Sequence, residues 1–338
     1  MTTELKQKLQ HPEAFTDMIS QNDSMLSIFQ YVESIAPTIH PVFITGETGV
    51  GKGLLAEAIH KISKRKGPII HVNVSGIDAN MFADTLFGHI KGAYTGATND
   101  RIGLCEQAST GTLFLDEIGD LDNISQIKLL NLFQERKYYP IGQDRPRHCH
   151  ARFITATNCD IDKLVENGAF RKDLFFRLQT HRIHIPPLRD RMDDIPVLVD
   201  YFLKQGAQHM NKNKPSVYKQ MIQLLNTYSF PGNIRELKAM VDDALCRHKS
   251  HTLSLKSFKS YINRKKQQTY SNRDNLKNIF QNVFNYFEDL PTIKVATEQL
   301  IYEALKRANG NLSIAASILG ISRQALGKRL KRQEETSP

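Results

Sequence analysis

The sequence predicts an α/β domain whose parallel sheet is flanked by helices, then an all-α subdomain and a small all-α terminal domain. Three observations carry this. A short apolar run, residues 41–45 (PVFIT), passes through a glycine-rich loop into a segment with Leu54, Leu55, Ala58, Ile59 and Ile62 at helical spacing. A second apolar run, residues 112–116 (TLFLD), ends in carboxylates. After Pro186 and Pro187, which break the chain direction, apolar residues recur with a helical period at Ile195, Leu198, Val199, Phe202 and Leu203. At 338 residues the chain is long enough for two or three domains and a buried core.

The first element and its loop read as strand, glycine-rich turn, helix, the context a GxxxxGK match requires. Gly46, Glu47, Thr48, Gly49, Val50, Gly51 and Lys52 form that match. Glycines let backbone N–H groups curl around phosphates, and the helix N-terminus adds its positive end. Lys52 is placed to reach the β- and γ-phosphates of ATP. The pattern puts Ser or Thr next, where a hydroxyl ligates Mg²⁺; this chain has Gly53. Two acids ending a strand are ordinarily only solvated side chains. Downstream of a phosphate loop, Asp116 suits holding Mg²⁺ through water, and Glu117 suits orienting and deprotonating the attacking water.

Between these motifs lies Gly92, Ala93, Tyr94, Thr95, Gly96, Ala97. Alone it is an ordinary surface turn. Two glycines bracketing an aromatic and a hydroxyl residue suit a mobile loop exposing Tyr94 and Thr95 at its tip.

From about residue 18 to residue 251 the chain resembles the AAA+ P-loop NTPase domain of bacterial enhancer-binding proteins, the sigma-54-dependent transcriptional activators. The hexapeptide resembles that family's GAFTGA loop, which touches sigma-54, with Tyr94 replacing the usual Phe. The resemblance implies further roles. Asn73, in the strand 69–74, matches the asparagine that restrains the catalytic Glu. Asn158, ending the strand 153–158 (FITATN), matches sensor I, which reads the γ-phosphate. Arg171 and Arg177, in 170–178 (FRKDLFFRL), match arginine fingers acting on ATP held by the neighbouring subunit, which implies a ring, usually a hexamer. Arg235, in 230–237 (FPGNIREL), matches sensor II in the helical lid. From the residues themselves, Asn233 suits a helix cap, with Glu236 completing a capping-box-like start. Family members usually carry Glu at the position of Gly53.

The net charge of +10 is uneven. Residues 253–338 hold 15 Lys and Arg against 7 Asp and Glu, an excess of eight; residues 1–252 hold 30 against 28. A nearly neutral body with a basic tail points to an anionic polymer as the tail's partner. Residues 253–290 read as a linker with partial helices, and its aromatics (Phe280, Phe284, Tyr286, Phe287) suit local or intersubunit packing. The last segment reads as a helix-turn-helix. Leu300, Ile301, Ala304 and Leu305 form one amphipathic helix; residues 312–319 form the second, with Gly320 at the turn; a third starts at Ser322. That third helix carries Arg323, Lys328, Arg329, Lys331 and Arg332 and resembles the family's Fis-type recognition helix. Arg323 and Gln324 suit base edges, and Lys328 and Arg329 suit phosphate.

The resulting boundaries are 1–17 for a short N-terminal segment, 18–187 for the α/β ATPase part, 188–252 for the lid, 253–290 for the linker and 291–338 for the DNA-binding domain. About 20 residues precede the core, so regulation is expected from a separate protein, from expression level or through the ATPase surface. No apolar stretch approaches a membrane span, there is no signal-peptide core, and four scattered cysteines fit reduced thiols, so cytoplasm is the expected compartment. His148, Cys149 and His150 with Cys159 lack a second close ligand pair for a metal site. The whole implies an ATP-dependent activator binding enhancer double-stranded DNA and remodelling sigma-54 RNA polymerase holoenzyme. The alternatives are a DNA-binding regulator of another polymerase form with a vestigial nucleotide site, against which the intact loop at 92–97 argues, and a remodelling ATPase with some other target, against which the helix-turn-helix argues.

Overall fold

The computed structural model describes residues 7–247, 253–271, 291–308 and 310–334. The chain divides into two compact units. The first comprises residues 1–201 with 230–237, and the second 202–229 with 238–338.

The first unit is built on a five-stranded parallel sheet in the order β2-β5-β8-β1-β9. These strands are β1 (Val42–Thr45), β2 (Ile69–Asn73), β5 (Thr112–Asp116), β8 (Arg152–Thr157) and β9 (His181–His184). Two short antiparallel hairpins accompany it, β3 (Gly88–His89) with β4 (Arg101–Ile102), and β6 (Lys137–Tyr138) with β7 (Arg147–His148). Strands β1 and β8 are buried along their whole length, as parallel strands covered on both faces require. Alternate residues feed opposite cores. Val42, Ile44, Phe114, Ile154 and Ala156 pack with helices α1 (Asp23–Ile35) and α2 (Lys52–Ile62). Phe43, Leu113, Leu115 and Phe153 pack with helices α3 (Ala79–Phe87) and α5 (Asn123–Glu135) and with α7 (Lys172–Leu178). Between α3 and α5 runs the short helix α4 (Leu104–Gln107), and α6 (Ile161–Glu166) precedes α7. Phe153, fully buried, meets Phe133 edge-on at 4.7 Å. Truncating such a side chain to Ala costs about 3–5 kcal/mol.

The start of β8 also closes a helix. Arg152 is buried and donates to the carbonyls of Ile35 (3.1 Å) and Ala36 at the end of α1, where a cation opposes the negative end of the helix dipole. Burial pushes its pKa down to about 10.

Helices α8 (Asp194–His209) and α10 (Asn233–Cys246) begin in the first unit and continue into the second. In the second unit, α9 (Lys219–Leu225) packs against α11 (Leu255–Ser271), whose Phe258 and Ile262 are buried. The segment read as a linker therefore opens with a packed 17-residue helix. Its four aromatics at 280–287 lie outside the described residues. The terminal part is three helices, α12 (Ile293–Arg307), α13 (Leu312–Leu319) and α14 (Arg323–Glu334). Ile301, Ala304, Ile314, Ala315, Ala316 and Leu326 form its core. Asn311 caps α13, and Gly320, at φ +70°, makes the turn that the sequence assigns to it.

Candidate active site

Sheet order places the ends of β1, β5 and β8 side by side, and the nucleotide-site residues follow from those three ends. The loop after β1 carries Gly46, Gly49 and Gly51 at φ +150°, +81° and +109°. At Gly49 a Cβ would lie 2.4 Å from the Gly232 carbonyl oxygen, and at Gly46 2.8 Å from that of Ile185. The loop's own carbonyls are tied outward: Gly49 accepts from the Ile234 N–H (3.1 Å) and Val50 from Arg191 (3.0 Å). Lys52 opens α2 with its ammonium buried. It donates to the Gly46 carbonyl at 3.0 Å and lies 3.6 Å from Glu117 Oε1.

Glu117 stands just past β5 at φ +59°, a left-handed conformation unusual for a residue with a Cβ. Its Oε2 accepts from the Asn158 N–H at 2.9 Å, and Asn158 Nδ2 donates to Thr48 Oγ1 at 2.9 Å. Thr48, Lys52, Glu117 and Asn158 thus form one network, from three sequence motifs. Asp116 accepts from the Glu117 N–H (3.0 Å) and pairs across the ladder with Asn73. Asn73 does not hold Glu117 in this conformation; its Oδ1 accepts from the Ser75 N–H (2.9 Å), inside its own turn. Gly53 lies in the first turn of α2, where a Cβ would meet nothing within 4 Å. The exposed Arg235 stands over the loop, its Cβ 3.1 Å from where a Gly49 Cβ would be.

Two residues act differently from their sequence reading. Asn233, expected to cap a helix, is fully buried at φ +51°. Its Nδ2 donates to the Thr48 carbonyl (3.0 Å) and to Glu47 (3.1 Å), and its Oδ1 accepts from the Leu188 N–H (2.8 Å). Glu236 accepts from the Gly232 N–H at 2.8 Å instead of serving an Asn233 box. Glu47 receives a bidentate pair from Arg189 (2.9 and 2.6 Å), which holds its carboxyl below the usual carboxylate range. Arg189 and Asn233 are the site residues that sequence reasoning missed. Both lie within the segment read as the lid, and no local spacing ties either to Glu47.

A nucleotide with Mg²⁺ fits this cradle. Lys52 is a buried ammonium resting on carbonyls and one carboxylate that a phosphate would replace, and Asp116 and Glu117 bring carboxylates to the same place.

Arg171 and Arg177 are engaged within the chain. Arg171 forms a bidentate pair with Asp173 (3.1 and 2.7 Å), while its N–H donates to Gln126. Arg177 donates to the Phe133 carbonyl at the end of α5 (3.3 and 3.2 Å). With Lys172 and Phe176, Arg171 and Asp173 line a shallow open hollow.

Residues 92–97 form a loop between β3 and β4. Gly92 (φ +82°) donates to the Ala97 carbonyl, and the Ala97 N–H donates to Tyr94. Tyr94, Thr95 and Gly96 are exposed, and Ala97 is buried. At α14 the Ser322 hydroxyl accepts from the Ala325 N–H (3.1 Å), and Arg323, Gln324, Lys328 and Arg329 are exposed while Leu326 is buried. Among the described residues no three His, Cys, Asp or Glu side chains gather as metal ligands, and no helix is long and apolar enough to cross a membrane. Cys149 is buried while His148 and His150 are exposed.

Residues 18–184 match the sigma-54 interaction domain. Over 315 residues the chain is 36% identical to the regulatory protein AtoC of Escherichia coli, covering 93% of this chain and 67% of AtoC. The chain belongs to the sigma-54-dependent activator family. Two further family parts follow in order, the AAA+ ATPase lid domain at 189–275 and the Fis-family regulatory domain at 298–332. The DNA-binding transcriptional activator HyfR of Escherichia coli is 36% identical over 323 residues, covering 94% of this chain and 47% of HyfR. The chain thus spans about half the length of most of the activators it matches. The crystal structure of NtrX from Brucella abortus in complex with ATP has a TM-score of 0.69 at 26% identity, over 93% of this chain and 69% of NtrX.

Proposed function

We propose that this family member is an ATP-driven transcriptional activator that binds enhancer DNA through α14, assembles into a ring and remodels sigma-54 holoenzyme from closed to open complex. The observation that carries the reading is the network joining Lys52, Glu117, Asn158 and Thr48, in the same unit as the exposed loop 92–97. Lys52 binds phosphate, and residues 46–53 wrap it with backbone N–H groups. Asp116 would hold Mg²⁺, which neutralises phosphate charge when bound. Glu117 orients water and takes its proton. Asn158, whose N–H holds the Glu117 carboxylate and whose side chain is tied to Thr48, reads the γ-phosphate as sensor I, while Asn73 stands one ladder position away as an alternative partner for Glu117. Arg235 contacts nucleotide from above the loop. Arg171 and Arg177 leave their intrachain partners to stabilise transition-state charge on ATP bound by a neighbouring subunit, in a ring of hexamer type. Loop residues Gly92 to Ala97 take sigma-54. On α14 Ser322 caps the start of the DNA-binding helix, Arg323 and Gln324 approach base edges, and Lys328 and Arg329 grip phosphate.

The test is transcription in vitro from a sigma-54 promoter with hydrolysable and non-hydrolysable ATP. Open complexes should form only with the former. Thr95→Ala should keep hydrolysis and enhancer binding yet abolish sigma-54 capture and activation. Activation that persists without hydrolysis would favour the rival reading, a DNA-binding regulator with a vestigial site.

A further inference from the structure

A polar cluster lies beneath the 92–97 loop, apart from the nucleotide site. Asp84, in the last turn of α3, accepts from His89 Nδ1 at 2.5 Å and also from Arg101. His89 is on β3 and Arg101 is its partner on β4, so one carboxylate ties both strands of the hairpin to the preceding helix. The Asp84 and His89 side chains are only 13% and 10% exposed, and such shielding strengthens a charge-assisted bond. His89 is thereby fixed in position and orientation. Against its imidazole stands the Tyr94 ring, edge-on, with centroids 5.1 Å apart at 65° and Oη 3.5 Å from Nδ1. Tyr94 remains 48% exposed, so its ring is held on one side and open on the other.

We propose that Asp84 and His89 form a seat for the Tyr94 ring, and that sigma-54 competes with His89 for that ring. The proposal rests on the reading of 92–97 as the sigma-54 contact loop. His89 positions Tyr94 directly and Asp84 acts through His89. A partner that draws the ring off its seat must first break its contact with the imidazole. The seat therefore subtracts from partner affinity, and emptying it tightens binding by the strength of one aromatic pair, roughly two- to tenfold.

The chain contains no Trp, so Tyr94→Trp gives a single indole whose quenching by acrylamide reports whether the ring is seated. In that background His89→Ala should raise quenching, and His89→Phe, which keeps a ring under position 94, should leave it low. In the otherwise native chain, His89→Ala should strengthen capture of sigma-54 with an ATP transition-state analogue by roughly two- to tenfold. His89→Phe should not, and Thr95→Ala should lose capture altogether. Equal quenching in all three indole-bearing proteins overturns the seat. Greater quenching in His89→Ala with unchanged or weaker capture overturns the competition and leaves the contact loop standing. Absence of capture by the native chain overturns the contact reading and the competition together, while the quenching series still decides the seat.

Discussion

The phosphate loop and the 92–97 loop are both glycine-bracketed turns in the first unit, yet their glycines answer different demands. Gly46 and Gly49 combine positive φ with backbone oxygens 2.8 and 2.4 Å from where a Cβ would sit. Gly92 and Gly96 share the positive φ, +82° and +108°, but nothing lies within 4 Å of a Cβ at either. One loop is clamped at its glycines by distant backbone; the other leaves its glycines open and meets the distant chain at Ala93, which packs against Gly142. Fixed atoms suit the chemistry proposed for the first loop, and an accessible tip suits the partner contact proposed for the second. The same residue type serves both.

The largest expected effect lies on the clamped side. Glu117→Ala should retain ATP binding and lose about 10²–10⁴ in hydrolysis rate, read by steady-state turnover of the purified variant. Near-normal turnover would remove the chemistry from this region. Next comes the glycine contrast itself. Gly49→Ala adds left-handed strain of about 1–2 kcal/mol to an overpacking cost of about 1–3 kcal/mol, whereas Gly92→Ala carries only the strain. Urea unfolding should show the difference; equal losses would break the comparison. Gly53→Ala has ordinary φ and free space in a helical turn, so it should stabilise by about 0.4–1 kcal/mol in the same assay.

The smallest effect is electrostatic. Arg189 lowers the pKa of Glu47, so the pair's contribution is present above the unfolded-state pKa and disappears as pH falls through the folded-state value. Both side chains are well exposed, at 39% and 43%, which limits Glu47→Gln to about 0.2–1 kcal/mol near neutrality. The stability curves of native and variant protein should converge in acid. Curves that stay parallel down to acid pH would show that the charge contributes nothing.

What the sequence made legible were contiguous patterns. The strand–loop–helix at 42–62, the carboxylates after β5 and the turn at Gly320 each declare themselves within one local window. Asn233 did not, because Asn followed three residues later by Glu reads locally as a cap. Its actual partners, Glu47 and Thr48, lie 186 and 185 residues away, where no spacing rule reaches. The engagement of Arg177 by the Phe133 carbonyl and of Glu117 by the Asn158 amide is likewise set by the packing of distant elements. The second helix of the lid pair, α11, was obscured by its polar composition, since only Phe258 and Ile262 in its first half mark a buried face.

The backbone at Glu117 bears on how such a chain changes over generations. A residue with a Cβ held at φ +59° costs about 1–2 kcal/mol relative to one at ease there. Gly would relieve that cost completely and Asn in part, and either substitution removes the carboxylate. Backbone strain taken by itself therefore favours losing Glu at this codon. Against that drift stand the carboxylate's bond to the Asn158 amide, its pairing with the buried Lys52, and the turnover proposed for it. In a descendant that kept its DNA-binding role but no longer needed ATP hydrolysis, position 117 is where decay would first be recorded, as a Gly or Asn in an otherwise intact phosphate-binding frame.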